Sequence, residues 1–225
     1  MSVPMKITCT CSVCGKKSNR IVLASTNCFG PSDLDTRPPE MMRSTMRWWI
    51  QECPKCGYVS ESLENTTTVS RRWLKSFKYL FTDGIIFVSS LAEKFYKYYL
   101  ISIADGKTEK ACSAAVHAAW ACDDVDDTAN AIICRKTALV QLDRLFSEDI
   151  CIYEDEEIES LRLIRMDLLR RSEQFSKVID EYSNVVFSSD EQNQIKEFQL
   201  TLAQREDTDR YLMSAVLPIS DEEEE

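Results

Sequence analysis

The sequence predicts a mainly α-helical protein, in which a small β module at the N-terminus precedes an all-helical array of antiparallel helices. Three observations lead to this fold class. Two Cys-x-x-Cys-Gly motifs lie in the first quarter of the 225 residues, five of the six prolines lie at or before Pro54, and no glycine follows Gly106. Glycine and proline both disfavour helix interiors, so a long stretch almost without them is typical of helices. We place the β module at residues 1–68, the helical domain at 69–218 and an acidic disordered tail at 219–225.

The two motifs carry the chemistry of the module. Cys11-Ser12-Val13-Cys14-Gly15 and Cys53-Pro54-Lys55-Cys56-Gly57 each place two thiols on a tight turn. The glycine can adopt positive φ, which lets backbone amides turn toward the sulfurs. Two such knuckles supply the four soft ligands that a tetrahedral zinc ion prefers. We therefore expect one structural Zn²⁺, held by Cys11, Cys14, Cys53 and Cys56.

The residues around the second motif favour zinc over redox chemistry. Residues 48–52 have the composition of a strand, and Gly57-Tyr58-Val59-Ser60 suggests a returning strand. Strand, knuckle and strand is the arrangement of a zinc ribbon. A thioredoxin-type dithiol would instead need a helix after the cysteines to lower the pKa of the first thiol. A thiol oxidoreductase nevertheless stays an alternative at this point.

The remaining cysteines and the single histidine are interpreted as structural. Cys9 could substitute as a ligand, whereas Cys28 lies in the insertion between the motifs and is expected to be incidental. Single cysteines within helices are typically small buried residues, and Cys112, Cys122, Cys134 and Cys151 are of this kind. We expect His117 to be a packed or groove-facing residue without a catalytic role.

The insertion contains a polar cluster with two interpretations. Asp33 and Asp35 favour side-chain-stabilised turns, and Arg37 could pair with either carboxylate. The alternative is that these three residues form a recognition surface beside the metal. The apolar residues that follow are expected to form the core of the module or to dock it on the helices: Met41, Met42, Met46, Trp48 and Trp49.

The helical part is identified from the period of its apolar residues. A short amphipathic stretch from Trp73 to Phe81 precedes a longer one that ends at Asp105-Gly106, where we expect a C-cap. An alanine-rich helix begins at Thr108, and the acids of residues 154–157 suit a helix N-terminus. The pattern predicts about seven helices.

The segment from Leu161 to Asp190 resembles a tetratricopeptide repeat, in which an amphipathic helix is followed by a second helix that runs from Phe175 to Tyr182. Such pairs can stack into a solenoid with a groove for a partner.

Charge is distributed unevenly along the chain. Residues 1–80 contain 12 Lys and Arg against 6 Asp and Glu, whereas the remainder contains 15 against 31. The simpler explanation is that a basic head and an acidic body attract each other. The alternative is nucleic-acid binding by the head, which would use the following side chains: Lys16, Lys17, Arg20, Arg43, Arg47 and Lys55.

The overall composition, 44% apolar and 28% charged residues, is that of an ordinary globular protein. No apolar run is long enough to span a bilayer, and residues 1–10 lack the apolar stretch of a secretory signal. We expect a cytoplasmic protein that does not associate with membranes.

The chain resembles a family of uncharacterised bacterial proteins with two Cys-x-x-Cys-Gly knuckles and a tetratricopeptide-like helical tail. The resemblance rests on these residues: Ile7-Thr8, Val13-Cys14-Gly15, Asp33-Leu34-Asp35-Thr36-Arg37-Pro38, Glu52-Cys53-Pro54-Lys55-Cys56-Gly57-Tyr58, Ala118-Ala119-Trp120, and Leu168-Leu169-Arg170-Arg171 with Phe175. It implies zinc binding and helical repeats, and it implies no reaction. We therefore expect a non-enzymatic scaffold or adaptor whose helical groove binds a protein or peptide.

Overall fold

The computed structural model describes residues 1–149 and 153–217, and it confirms the predicted fold class. Strands β1 (Val3–Thr10) and β2 (Lys17–Ser25) form an antiparallel hairpin in which Thr10 lies opposite Lys17. A second, shorter hairpin consists of β3 (Gln51–Glu52) and β4 (Val59–Ser60). Each knuckle motif therefore lies at the tip of its own hairpin, which is the expected strand, knuckle and strand order.

The predicted strand at residues 48–52 is correct only in its last two residues. The segment Arg43–Trp48 is a 3-10 helix, and Trp49 follows it as the C-cap. The indole Nε1 of Trp49 donates to the hydroxyl of Thr45 at 2.9 Å, and its backbone amide donates to Met46 O at 3.1 Å. These local hydrogen bonds outweigh the strand propensity of the two tryptophans, so the strand begins only at Gln51.

The helical part follows the order that the periodicity predicts. Its α-helices are α1 (Phe77–Leu80), α2 (Ser90–Ala104), α3 (Thr108–Asp123), α4 (Thr128–Arg144), α5 (Asp155–Arg170), α6 (Phe175–Tyr182) and α7 (Asp190–Gln204). Short 3-10 segments lie at Trp73–Lys75, Thr82–Gly84 and Met213–Ala215, and a π-helical turn lies at Leu145–Asp149. Helix α6 has the bounds predicted for the second helix of the pair, and the apolar residues Val185 and Val186 lie beyond its end.

Two predicted helix boundaries are confirmed by their caps. After α2, Gly106 has a φ of +70°, and the amide of Lys107 returns to Ser102 O at 2.9 Å, which closes the last turn. Before α5, Glu154 and Glu157 form a reciprocal capping box, and three acids lie in the first turn. The acidic run therefore stabilises a helix N-terminus.

Small residues let the central helices approach closely. Helix α3 packs against both α2 and α4, and its face carries Ala111, Ala115, Ala118 and Ala119, each at most 1% exposed. Helix α5 packs against α4, α6 and α7. Helices α5 and α6 are joined by only four residues, 171–174, as a helix pair requires. Their identity as a tetratricopeptide repeat stays a prediction.

One continuous group of buried apolar residues runs from Cys9 in the β module through Leu63 and Trp120 to Leu200 in α7. The division at residue 68 stays a prediction. Within residues 1–149 and 153–217, no helix combines the length and apolarity needed to cross a membrane. Cys151 and the predicted acidic tail lie outside the described residues.

Candidate metal centre

Four cysteines from the two knuckles converge at one point. The sulfurs of Cys11, Cys14, Cys53 and Cys56 all lie within 4.8 Å of one another. Across the two knuckles, Cys11 Sγ is 3.7 Å from Cys56 Sγ, and Cys14 Sγ is 3.6 Å from Cys53 Sγ. A tetrahedral zinc ion with bonds of about 2.3 Å to sulfur requires edges of about 3.8 Å. The cluster could therefore hold a metal ion such as zinc.

The two knuckles share one backbone design. In the first, the amide of Cys11 donates to Lys16 O at 3.0 Å, and the amide of Gly15 donates to Cys11 O at 2.8 Å. The equivalent bonds in the second knuckle, from Cys53 and Gly57, measure 2.8 and 3.0 Å. The two glycines have φ values of +69° and +73°, with free space where a Cβ would lie. Glycine is therefore required by the backbone conformation and not by crowding.

The electrostatics of the cluster favour a bound cation. Cys11 and Cys53 are each 1% exposed, Cys14 is nearly as buried, and Cys56 is half-buried. Burial raises the pKa of Cys11 and, more strongly, the pKa of Cys56, where the neighbouring sulfurs of Cys53 and Cys14 raise it further. A divalent ion would remove this obstacle to four thiolates by supplying the opposite charge.

The second knuckle shows how its backbone stabilises a thiolate. Burial by itself would raise the pKa of Cys53, but the amides of Lys55 and Cys56 and the thiol of Cys14 outweigh it and lower the pKa to about 7. In the first knuckle, the amides of Cys14 and Val13 act on Cys11 in the same direction. The amides thus face the sulfurs, as the motif predicts.

The segment that follows the β module forms side-chain hydrogen bonds to backbone carbonyls of both knuckles, through Arg71 and Tyr79. Arg71 Nη2 donates to Cys14 O at 2.7 Å, and its Nε donates to Val13 O at 3.3 Å. The hydroxyl of Tyr79, a residue that is 1% exposed, donates to Gly57 O at 2.5 Å. The sequence pattern did not reveal these contacts, because an aromatic residue in an amphipathic stretch is ordinarily a core residue.

The other cysteines that the structure describes lie apart from the cluster. Cys9 is buried, but its sulfur faces Ser18 O at 3.6 Å and Gln51 Oε1 at 3.7 Å, so it is not a member of the four. Cys28 is exposed. Cys122 and Cys134 are fully buried, as expected, and contact with Cys122 together with burial raises the pKa of Cys134. Cys112 is half-buried and donates to Ala138 O.

His117 is a packed residue, as the sequence predicts. Its ring lies 4.9 Å from that of Trp120, 5.2 Å from Phe95 and 5.4 Å from Trp49, measured between centroids. Burial disfavours the charged imidazolium and lowers the pKa of His117 to about 4. The contact with Trp49 also shows that this tryptophan docks the β module on α3.

The polar cluster of the insertion is not a surface. Asp33, Asp35 and Arg37 are each at most 1% exposed. A side-chain-stabilised turn is present, because Asp35 Oδ1 accepts from the amide of Arg37 at 3.3 Å. The guanidinium of Arg37, however, pairs with Asp124 after α3 at 2.6 Å, and not with either nearby carboxylate. The idea of a recognition surface beside the metal is therefore wrong.

Instead, this cluster fastens the insertion to the helical body. Asp35 Oδ2 accepts from Trp120 Nε1 at 2.8 Å and from Arg171 Nη1 at 3.0 Å. Asp33 pairs with Arg43 at 2.7 Å, and burial raises the pKa of Asp33 although that guanidinium opposes the shift. Residues 32–34 also form backbone hydrogen bonds with residues 211–213.

The candidate nucleic-acid contacts fall into three places. Arg43 is occupied by Asp33 and by Pro38 O, and Lys16 and Lys17 are exposed at the start of β2. The other three cations, Arg20, Arg47 and Lys55, line one groove beside the second knuckle. The residues that line this groove are Asn19, Arg20, Ile21, Arg47, Trp48, Ile50, Gln51, Glu52, Cys53, Pro54, Lys55, Gly57 and Lys94.

Comparison with protein-family models, with curated proteins and with solved structures gives no significant match. The family resemblance of the sequence therefore stays an expectation, and the site is interpreted from its own geometry.

Proposed function

We propose that this protein is a non-enzymatic, zinc-stabilised adaptor. The observation that carries the proposal is the convergence of four cysteine sulfurs, three of them from buried residues, with two S–S distances of 3.7 and 3.6 Å that match a zinc tetrathiolate. Cys11, Cys14, Cys53 and Cys56 would hold the ion. Because it would be bound by four protein ligands and leave no open position, its role would be structural and not catalytic.

The role of the ion would be to stabilise the packing of the β module against the helices. Arg71 and Tyr79 each bond to a knuckle carbonyl, so a metal that orders the knuckles also orders the segment leading into α1. The two motifs lie about forty residues apart, and closing that loop is costly without a cross-link. Metal binding would therefore contribute directly to folding.

The burial of the cysteines argues against the oxidoreductase alternative. A reactive dithiol needs a partly exposed nucleophilic sulfur, whereas Cys11 and Cys53, the first cysteine of each motif, are 1% exposed. Each motif is also followed by a strand, β2 or β4, and not by a helix. The pKa of about 7 for Cys53 serves a metal thiolate equally well.

The partner site of the adaptor would be a groove between α5 and α7. This groove has a volume of about 450 Å³ and a mainly apolar floor of Leu163, Ile164, Ile195, Met213 and Leu217. Serines line its rim. Such a floor with a polar rim suits an apolar side chain or two from a peptide. We interpret α5 and α6 as a tetratricopeptide-like pair, of which α5 supplies one wall of the groove.

The metal half of the proposal is tested by native mass spectrometry of the full chain. We expect one zinc ion per chain, loss of that ion in Cys53→Ser, and full retention in Cys28→Ser, since Cys28 is exposed and outside the cluster. A purified protein that contains no zinc, and takes up none from added zinc, would contradict the proposal.

The adaptor half is tested with a matched pair of arginine substitutions. Ser160 lies on the groove rim, and Thr201 lies on α7 outside it; both are exposed and both hydroxyls bond to the carbonyl four residues earlier. We expect Ser160→Arg to abolish co-purification of a partner from cells of the source organism, and Thr201→Arg to leave it intact. Equal loss of the partner from both variants would refute the proposal that the groove between α5 and α7 is the partner site.

A further inference from the structure

The groove beside the second knuckle has the features of a binding site for a flexible polyanion. It has a volume of about 720 Å³ and is walled by β2, the 3-10 helix, the second knuckle and α2. Four cationic side chains, Arg20, Arg47, Lys55 and Lys94, converge on it, against the single carboxylate of Glu52. These cations come from segments far apart in the sequence, so the fold itself concentrates the charge.

Most of this positive charge is not neutralised by the protein. Among the described residues, Lys94 alone of the four cations has an ion-pair partner, Glu52, at 3.7 Å. Two nitrogens of Arg20, Nε and Nη2, are buried and make no hydrogen bond within the described part of the chain. A zinc tetrathiolate behind Cys53 would add about −2, which the side-chain charge of the groove still exceeds. A local positive field of this kind attracts anions even on a protein whose formal net charge is −10.

An aromatic ring lies among these cations. The guanidinium carbon of Arg47 lies 4.6 Å from the ring centroid of Trp48, a cation–π contact that holds this guanidinium at the groove. Trp48 is half-buried and lines the same wall. Aromatic rings interleaved with cations along a groove are the combination by which proteins bind single-stranded nucleic acids, since bases stack on the rings and phosphates contact the cations.

We infer that the groove between β2 and the second knuckle binds single-stranded nucleic acid. Arg47, Lys55 and Lys94 contact the phosphates, and Trp48 stacks with a base. An acidic peptide would contact the same cations, but its carboxylate side chains would not stack on the indole of Trp48 as a base does. A contribution of Trp48 to affinity therefore distinguishes a nucleic acid from an acidic peptide. This inference goes beyond the adaptor function and does not depend on it.

The inference is tested with the zinc-loaded full chain and a fluorescein-labelled oligothymidylate of about 15 nucleotides, by fluorescence anisotropy from about 50 to 200 mM salt. The two variants Arg47→Gln/Lys55→Gln and Lys16→Gln/Lys17→Gln each remove two exposed positive charges from the same module. We expect the groove pair to lower affinity about tenfold and to reduce the salt slope by about 1.4, the value for two phosphate contacts on a single strand. The control pair should lower affinity less than threefold.

Trp48→Leu is the second variant, because it removes the ring and no charge. We expect an affinity loss of about tenfold with an unchanged salt slope. No binding of the oligonucleotide at about 50 mM salt, or equal losses from the two charge pairs, would overturn the inference. Polyglutamate that binds as tightly as the oligonucleotide, together with no effect of Trp48→Leu, would identify an acidic-peptide site and overturn it too.

Zinc content measured on the same samples separates this inference from the metal proposal. If the protein contains one zinc ion but does not bind the oligonucleotide, only the proposal of nucleic-acid binding at the groove is refuted. If the protein binds the oligonucleotide but contains no zinc, only the proposed zinc site is refuted.

Discussion

Replacing Asp35 by asparagine removes the charge at the centre of the contact between the insertion and the helices. The Asp35 carboxylate is 1% exposed and accepts from Trp120 Nε1 at 2.8 Å and from Arg171 Nη1 at 3.0 Å. Removing one partner of a buried ion pair costs about 3–5 kcal/mol of unfolding free energy. Arg171 keeps its second partner, Asp123, at 2.9 Å. We therefore expect the lower end, about 3 kcal/mol, and a fall in Tm of about 6–12 °C for a chain of this size.

The assay is urea-induced unfolding followed by circular dichroism, with Asp143→Asn as the matched control. Asp143 also pairs with an arginine, Arg165, at 2.8 Å, but it is 54% exposed. Solvent screening limits such a surface pair to about 1 kcal/mol or less. A loss of less than about 1 kcal/mol from both Asp35→Asn and Asp143→Asn would show that the buried contact does not couple the insertion to the helices.

Three further predictions concern the knuckles and the aromatic cluster. Gly57→Ala should cost about 1–2 kcal/mol of unfolding free energy through its φ of +73° while keeping one zinc ion, as measured by urea unfolding and native mass spectrometry; loss of the ion would contradict this. Tyr79→Phe leaves the Gly57 carbonyl without its donor and should cost about 1–2 kcal/mol and speed zinc release to a chelator; an unchanged release rate would show that the bond does not hold the knuckle. Because the pKa of His117 is lowered to about 4, the unfolded imidazole binds a proton more readily, so stability should be fully present above about pH 6.5 and fall by up to about 3 kcal/mol as the pH drops to 4. Unfolding of His117→Phe across this range should lack that part of the fall, and identical pH curves would refute it.

The parts of the structure that could be predicted are those whose causes lie within a few residues of one another. Each Cys-x-x-Cys-Gly motif closes a turn through backbone hydrogen bonds between residues four and five positions apart. Its conformation therefore depends on six consecutive residues. The C-cap at Gly106 and the capping box at residues 154–157 are local in the same way. Helical periodicity likewise reports on one face of one helix.

The mistakes arose where a local preference competed with another contact. Trp48 and Trp49 have strand propensity, yet a hydrogen bond from Trp49 to Thr45 holds a 3-10 helix. Arg37 was expected to pair with Asp33 or Asp35 nearby, yet its guanidinium pairs with Asp124 after α3. Propensity and period do not measure such competing hydrogen bonds.

The sequence by itself determined the four-cysteine cluster, the order of the helices and the uneven charge, since each depends on residue type and short spacing. Only the tertiary structure decided which charges meet: Asp35 and Arg171 are 136 positions apart, and many other acids and bases were equally available to each of them. The tertiary structure also buries the polar residues Asp33, Asp35 and Arg37 against the helices. It brings four cations to the groove beside the second knuckle. Long-range pairing depends on how the helices pack, and packing is a property of the whole chain that no single segment encodes.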